Sequence, residues 1–225
     1  GSGNLTFGGY GRNVEVLDVL VPHLQPQAFI DFAHFLEALA TRPEIAVPDT
    51  AWAHWFAGRA RSANSSISQA TPDNSARLVH SLERPILDQI SEICADRGGA
   101  ESLTVLSPFH DSDGSAVRKL AQALGCRNIR IGLAPDPNLL TTFPFTKAAT
   151  WEAQLQAVRP DVDDAARRPL QAKWIEITTA NGTRGVTGSV NATTPALCTQ
   201  KNVEVGVLRW VDTSPQQWSE VAIPT

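Results

Sequence analysis

Residues 188–208 read "GSVNATTPALCTQKNVEVGVL", and residues 1–20 read "GSGNLTFGGYGRNVEVLDVL". Both stretches begin Gly-Ser-x-Asn-x-Thr. Both run on to Asn-Val-Glu-Val, with Val-Leu following within two further residues. Ser2 corresponds to Ser189, Asn4 to Asn191, Asn13 to Asn202 and Glu15 to Glu204. A single Gly-Ser-x-Asn reads as a turn, because these residues hydrogen-bond their own backbone and tolerate left-handed conformations. Alternating valines read as a strand. Neither reading explains why a glutamate recurs between two valines. The repeat therefore predicts a duplicated lobe with two equivalent half-sites, and Gly1–Asn4 reads as native sequence.

Upstream of the second copy stands "LQAKWIEITTANGTRGVTGSVN", which places Lys173 on a strand and Gly188, Ser189 and Asn191 on the next turn. An ammonium, a hydroxyl and a carboxamide converging on one point make a holder for phosphate or an oxyanion. This arrangement resembles the phospholipase D superfamily, the HKD phosphodiesterases. The signature there is H-x-K, a Gly-Ser-x-Asn turn and often an N-x-E strand. Two copies face each other around one active site. "LTVLSPFHDSDGSAVRKL" at 103–120 is similar to the strand-then-helix element of that family's second lobe.

The resemblance implies an α/β fold: a mixed sheet flanked by helices, in pseudo-twofold duplicated lobes, with the first lobe truncated here. It implies the end of the first lobe and a connection in residues 1–60, and the second lobe in 61–225. The implied chemistry is metal-free and cofactor-free phosphodiester hydrolysis through a phosphohistidine. Lysine and asparagine would hold the phosphate, and the N-x-E carboxylate would buttress an imidazole.

The sequence departs from the pattern at the position expected for the second histidine, which is Gln171. An amide is no nucleophile and has no useful pKa for proton transfer. Thr178 stands five residues after Lys173, where the family often has Asp. The H-x-K of the first copy would precede residue 1. The expected site is therefore Gln171, Lys173, Ser189, Asn191 and Glu204, with Ser2, Asn4 and Glu15 from the first lobe, and this segment alone is expected to be inactive. The remainder of the same polypeptide or a second chain would complete it. The alternative is a non-catalytic phosphate- or nucleic-acid-binding or assembly module built on a pseudo-active site.

Bulk composition sets the frame. The chain has 225 residues, 42% of them hydrophobic and 19% charged, and a formal net charge of -4. That argues against a broadly basic, salt-driven nucleic-acid coat, though not against a local cleft. No apolar run reaches the roughly 20 residues of a membrane span. Cys94, Cys126 and Cys198 show no C-x-x-C, so neither a zinc cage nor a disulfide framework is expected. A cytoplasmic setting follows as the expectation. A phosphodiester substrate is expected, with nucleic acid ahead of phospholipid because no anchor is visible.

Local patterns predict the elements. A strand is expected over 13–21 and a helix over 27–41. Irregular chain is expected over "RPEIAVPDTAWAHWF", and a polar loop over 62–75. A helix interrupted by Pro85 is expected over 76–96. Then come a strand at "SLTVLSPF", a helix ending at Gly125, a strand at "NIRIGLA", a helix at "TKAATWEAQLQAV", and three closing strands. Asp113-Gly114-Ser115 reads as a helix N-cap rather than a phosphatase-type nucleophile loop. His110 reads as a surface histidine, His34 and His54 as packing residues, and Lys201 as solvated. Trp174 is expected on the strand face opposite Lys173.

Overall fold

The computed structural model describes residues 16–42, 45, 49–65, 76–95, 99–134, 141–161, 169–211 and 217–224. Its centre is an eight-stranded mixed sheet. The strands are β1 (Ala76–His80), β2 (Ser102–Leu106), β3 (Asn128–Gly132), β4 (Gln154–Pro160), β5 (Trp174–Thr179), β6 (Gly182–Gly188), β7 (Val205–Val211) and β8 (Trp218–Val221), in the order β1-β7-β6-β5-β2-β3-β4-β8. Pairs β2–β3 and β3–β4 are parallel, and the other five are antiparallel. The helices are α1 (Pro26–Thr41), α2 (Ala51–Ser65), α3 (Ile86–Ala95), α4 (Ser115–Ala123), α5 (Phe145–Ala148) and α6 (Thr194–Leu197).

Period-two alternation gives the sheet two different faces. One carries Val79, Leu103, Val105, Ile129, Ile131, Ile175, Ile177, Val186 and Leu208, all within the main buried cluster. Helix α3 turns Ile86, Ile90 and Cys94 into that cluster, one stripe at i, i+4 and i+8. Helix α4 adds Ala116, Val117, Leu120 and Ala121. The opposite face is more polar. Register places Arg209, Gly185, Glu176, Thr104 and Arg130 in one row across five strands.

Four expectations change. Residues 76–80 form strand β1, not the first half of a helix. Pairing with β7 satisfies their backbone, and Pro85 keeps α3 from starting before Ile86. The segment "TKAATWEAQLQAV" splits into the single turn α5 and strand β4. Gln154, Leu155, Gln156 and Ala157 alternate with period two, and β3 offers a parallel partner. The aromatic stretch before residue 62 is helix α2, which continues to Ser65. Its buried stripe is Ala53, Ala57 and Ala60 against Ala33 and Leu36 of α1, while Trp52, Trp55 and Phe56 are exposed. A reading keyed to large apolar residues misses a stripe made of alanine. Finally, Val16–Val21 lies outside the sheet. Asp18 there ion-pairs with Arg209 at 2.6 Å.

Among the described residues no helix is long and apolar enough to cross a membrane. His34 and His54 are exposed rather than packed, and Lys201 is exposed as expected. The three cysteines are free thiols.

Candidate functional site

The antiparallel pairings bring the motif residues to one edge of the sheet. Strand β6 ends at Gly188 opposite Gly206, so Ser189 meets the start of β7. Strand β5 begins at Trp174 opposite Thr187, so Lys173 lies one residue outside the ladder at that same end. Strands β1 and β2 also finish there, at His80 opposite Val205 and Leu106 opposite Trp174. Trp174 shares a face with Leu106 and Thr187, away from the main core.

Ser189 and Glu204 are in direct contact. The Ser189 hydroxyl donates to Glu204 Oε2 and accepts from the Val205 N–H at 3.1 Å, while the Ser189 N–H donates to the Val205 carbonyl at 3.0 Å. Glu204 is buried, and its other oxygen accepts from the Asn202 amide at 3.2 Å. Its backbone is pinned by Ser81, whose hydroxyl accepts from the Glu204 N–H at 2.7 Å and whose own N–H donates to the Glu204 carbonyl at 3.0 Å. The repeated glutamate thus holds the turn serine and the motif's own asparagine. Ser81 is absent from any sequence motif, because its role comes from the end of β1 meeting the start of β7.

Asn191 is half-buried, and its Oδ1 is buried with no hydrogen-bond partner among the described residues. The loop around it is clamped from the β2–α4 connection. The Ala192 N–H donates to Ser107 Oγ at 3.1 Å, and His110 forms a backbone bridge with Ala192. Asp111 accepts from the Thr194 N–H at 2.9 Å and the Thr194 hydroxyl at 2.8 Å. It also accepts from the Ser115 hydroxyl at 2.9 Å and the Ala116 N–H at 2.9 Å. One carboxylate therefore caps α4 and fixes α6. The capping function expected of Asp113 is shared: Asp113 accepts the Ser115 N–H at 3.0 Å. Burial alone would raise the Asp111 pKa. The donors from Thr194, then Ser115 and Ala116, outweigh it and hold the carboxyl below its ordinary value. A carboxylate so engaged is a structural clamp rather than a nucleophile.

Lys173 is half-buried, and its ammonium donates to the Gln171 carbonyl at 3.1 Å. Gln171 is half-buried beside it. Hydrogen bonds join Ser189 to Glu204, whereas Lys173, Gln171 and Asn191 share the sheet edge with them. Ser2, Asn4 and Glu15 lie outside the described residues. Among the described residues no group of three or more His, Cys, Asp or Glu could hold a metal.

His110 is not a surface histidine. Both ring nitrogens are buried with no partner of good geometry among the described residues, and the ring packs edge-on to Phe143 at 5.1 Å. Burial pushes its pKa down to about 4, against the opposing effects of the Asp111 carboxylate and the Ser107 backbone. The neutral ring is the folded form, so unfolding takes up a proton between pH 6.5 and about 4. Stability is complete above pH 6.5 and falls as pH drops through that window, by on the order of 3 kcal/mol. Urea titrations at pH 7 and pH 5 will show the loss in the wild type and a clearly smaller one in His110→Phe. Equal losses in both proteins would remove His110 as the cause.

No protein-family model and no curated protein matches this chain. Solved structures do. One is a phospholipase D family member, Nuc from Salmonella typhimurium, with 19% identity and a TM-score of 0.35 over 60% of this chain and 82% of that one. Another is NucT from Helicobacter pylori, with 11% identity and a TM-score of 0.38 over 59% of this chain and 83% of that one. At these values the likeness concerns the path of the chain, and no chemistry follows from it.

Proposed function

We propose that the edge formed by Lys173, Ser189 and Asn191 holds the phosphate of a phosphodiester, as part of a phospholipase D-like phosphodiesterase acting on nucleic acid rather than phospholipid. The observation that carries this is Asn191, a half-buried residue whose Oδ1 is buried and has no hydrogen-bond partner among the described residues. It sits on a loop that Ser107 and Asp111 clamp rigidly, at the same sheet edge as the Lys173 ammonium. A buried polar group without a partner is costly unless something arrives to pair with it. A phosphodiester offers acceptors only, so it would pair with the Lys173 ammonium and, once the carboxamide turns over, with an Asn191 side-chain N–H.

In this proposal α1 and α2 belong to the connection near residue 60 that leads into the lobe carrying the eight-stranded sheet. Ser2, Asn4 and Glu15 belong to the other half-site. The remainder of the polypeptide or a second chain supplies a histidine nucleophile. Gln171 supports the second reading, a phosphate-binding module without turnover, because an amide cannot relay a proton.

Inorganic phosphate titrated into the protein will shift the Asn191 side-chain amide resonances saturably. In Lys173→Ala the affinity will fall roughly 10- to 100-fold, as expected for a lost charge-assisted hydrogen bond. Absence of any saturable shift in the wild type would overturn the proposal. Turnover of an aryl phosphodiester in EDTA by the full-length protein, restored or raised in Gln171→His, separates the enzyme from the binding module.

A further inference from the structure

We infer that the polar face of the sheet carries a pocket for a single flat heteroaromatic ring, an unpaired nucleobase of the proposed substrate. This rests on the phosphodiester reading above and adds a base-recognition site on a different face from the main core.

The pocket begins with Glu176, a carboxylate buried at the middle of the sheet. Its Oε2 accepts from the Trp174 indole N–H at 3.3 Å and the Trp218 indole N–H at 3.4 Å, while Arg130 Nη2 lies 3.4 Å from Oε1. The position of Trp218 is informative. Strand β8 is four places from β5 in the sheet order. At a spacing of about 4.8 Å a flat sheet would put the two strands roughly 19 Å apart. The indole reaches Glu176 nonetheless, so the sheet curls over this face and brings its far edge back to its centre.

Two indoles tethered to one oxygen are fixed in orientation before any guest arrives. They line a cavity of about 290 Å³ together with Leu17, Leu106, Arg209 and Thr187. That is just under the roughly 300–1,000 Å³ usual for ligand pockets, a size for one ring system. Gly185 forms part of the wall, and a methyl group there would strike the Trp174 ring at 2.2 Å. The bare backbone lets the indole lie flat on the sheet.

The guest's chemistry follows from Thr187. This residue is 3% exposed and lines the cavity, and its hydroxyl has no partner among the described residues. An aliphatic or benzenoid guest would leave that hydroxyl unpaired, at a cost. A nucleobase offers flat faces for the indoles and a polar edge for Thr187 and for the Arg209–Asp18 ion pair, which also lines the cavity. The location agrees: Trp174 directly follows Lys173, and Thr187 precedes Ser189 by two residues. A base held here is therefore within reach of a phosphate at the sheet edge.

Adenosine is the test ligand, because it carries no phosphate and reports on this pocket alone. Tryptophan fluorescence should be quenched saturably by adenosine and not by ribose 5-phosphate. Thr187→Val keeps shape and burial, and should weaken adenosine about fivefold or more. Trp218→Leu should weaken it at least tenfold. If Trp218→Leu does not fold, Thr187→Val decides. No saturable quenching, unchanged affinity in Thr187→Val, or benzyl alcohol binding as tightly as adenosine would each overturn the inference. Phosphate titration stays a separate measurement, so failure here leaves the phosphate site standing, and failure there leaves this one.

Discussion

Gly188→Ala will lower stability by about 3–5 kcal/mol, combining backbone strain with forced overpacking. Gly188 has φ +149, a conformation that L side chains rarely adopt. An added Cβ would stand 2.2 Å from the Val205 carbonyl oxygen and 2.7 Å from Gly206 Cα. Both are backbone atoms of the neighbouring strand, so no side chain can swing away. The close approach is what lets Ser189 and Val205 exchange hydrogen bonds and brings the Ser189 hydroxyl to Glu204. For a chain of this size the midpoint of thermal unfolding should drop by about 6–20 °C. Gly125→Ala is the control. Its φ is also positive, at +64, but nothing lies within 4 Å of an added Cβ, so only the left-handed penalty of about 1 kcal/mol applies. Matching urea midpoints for the two variants would refute the steric account.

Asp111→Ala will cost about 2–3 kcal/mol, because it leaves four donors from two helix starts without their common acceptor. The carboxylate is partly exposed, so water takes over some donors and the figure stays below the simple sum. Asp111→Asn keeps one oxygen and should lose about half as much. The pH dependence has a definite sign. A carboxyl held below its ordinary value stabilises the fold above that ordinary pKa of 3.8, and the contribution is lost as pH falls through the lower folded value. Wild type and Asp111→Ala should therefore differ most near neutrality and converge in strong acid. A difference that grows on acidification would show that the clamp is not electrostatic. The variant should also broaden the Asn191 amide resonances, since Ala192 and Thr194 follow that residue and are both tied to this connection.

Two features were legible in consecutive residues: the Gly-Ser-x-Asn turn with its following Asn-Val-Glu-Val, and the layered α/β architecture. Gly-Ser-x-Asn followed by Asn-Val-Glu-Val needs only local rules: a turn of small polar residues, a glycine before it and a strand after it. Those rules are written in consecutive residues. That Glu204 accepts from Ser189, where the resemblance implied an imidazole, is a finding of the structure. The remainder came from contacts between segments far apart in the chain. Residues 76–80 have helical spacing, but they become a strand because β7 offers them a ladder. Ala53, Ala57 and Ala60 look neutral until α1 lies against them. His110 looks solvent-facing until Phe143 closes over it. Ser81, Asp111 and Thr187 carry no motif, because what each one does depends on a partner, or an unfilled space, brought to it by distant chain. Local sequence encodes conformational preference and periodicity. It does not encode which remote segment supplies the hydrogen bonds, and on that the curled polar face and the clamp around Asn191 both depend.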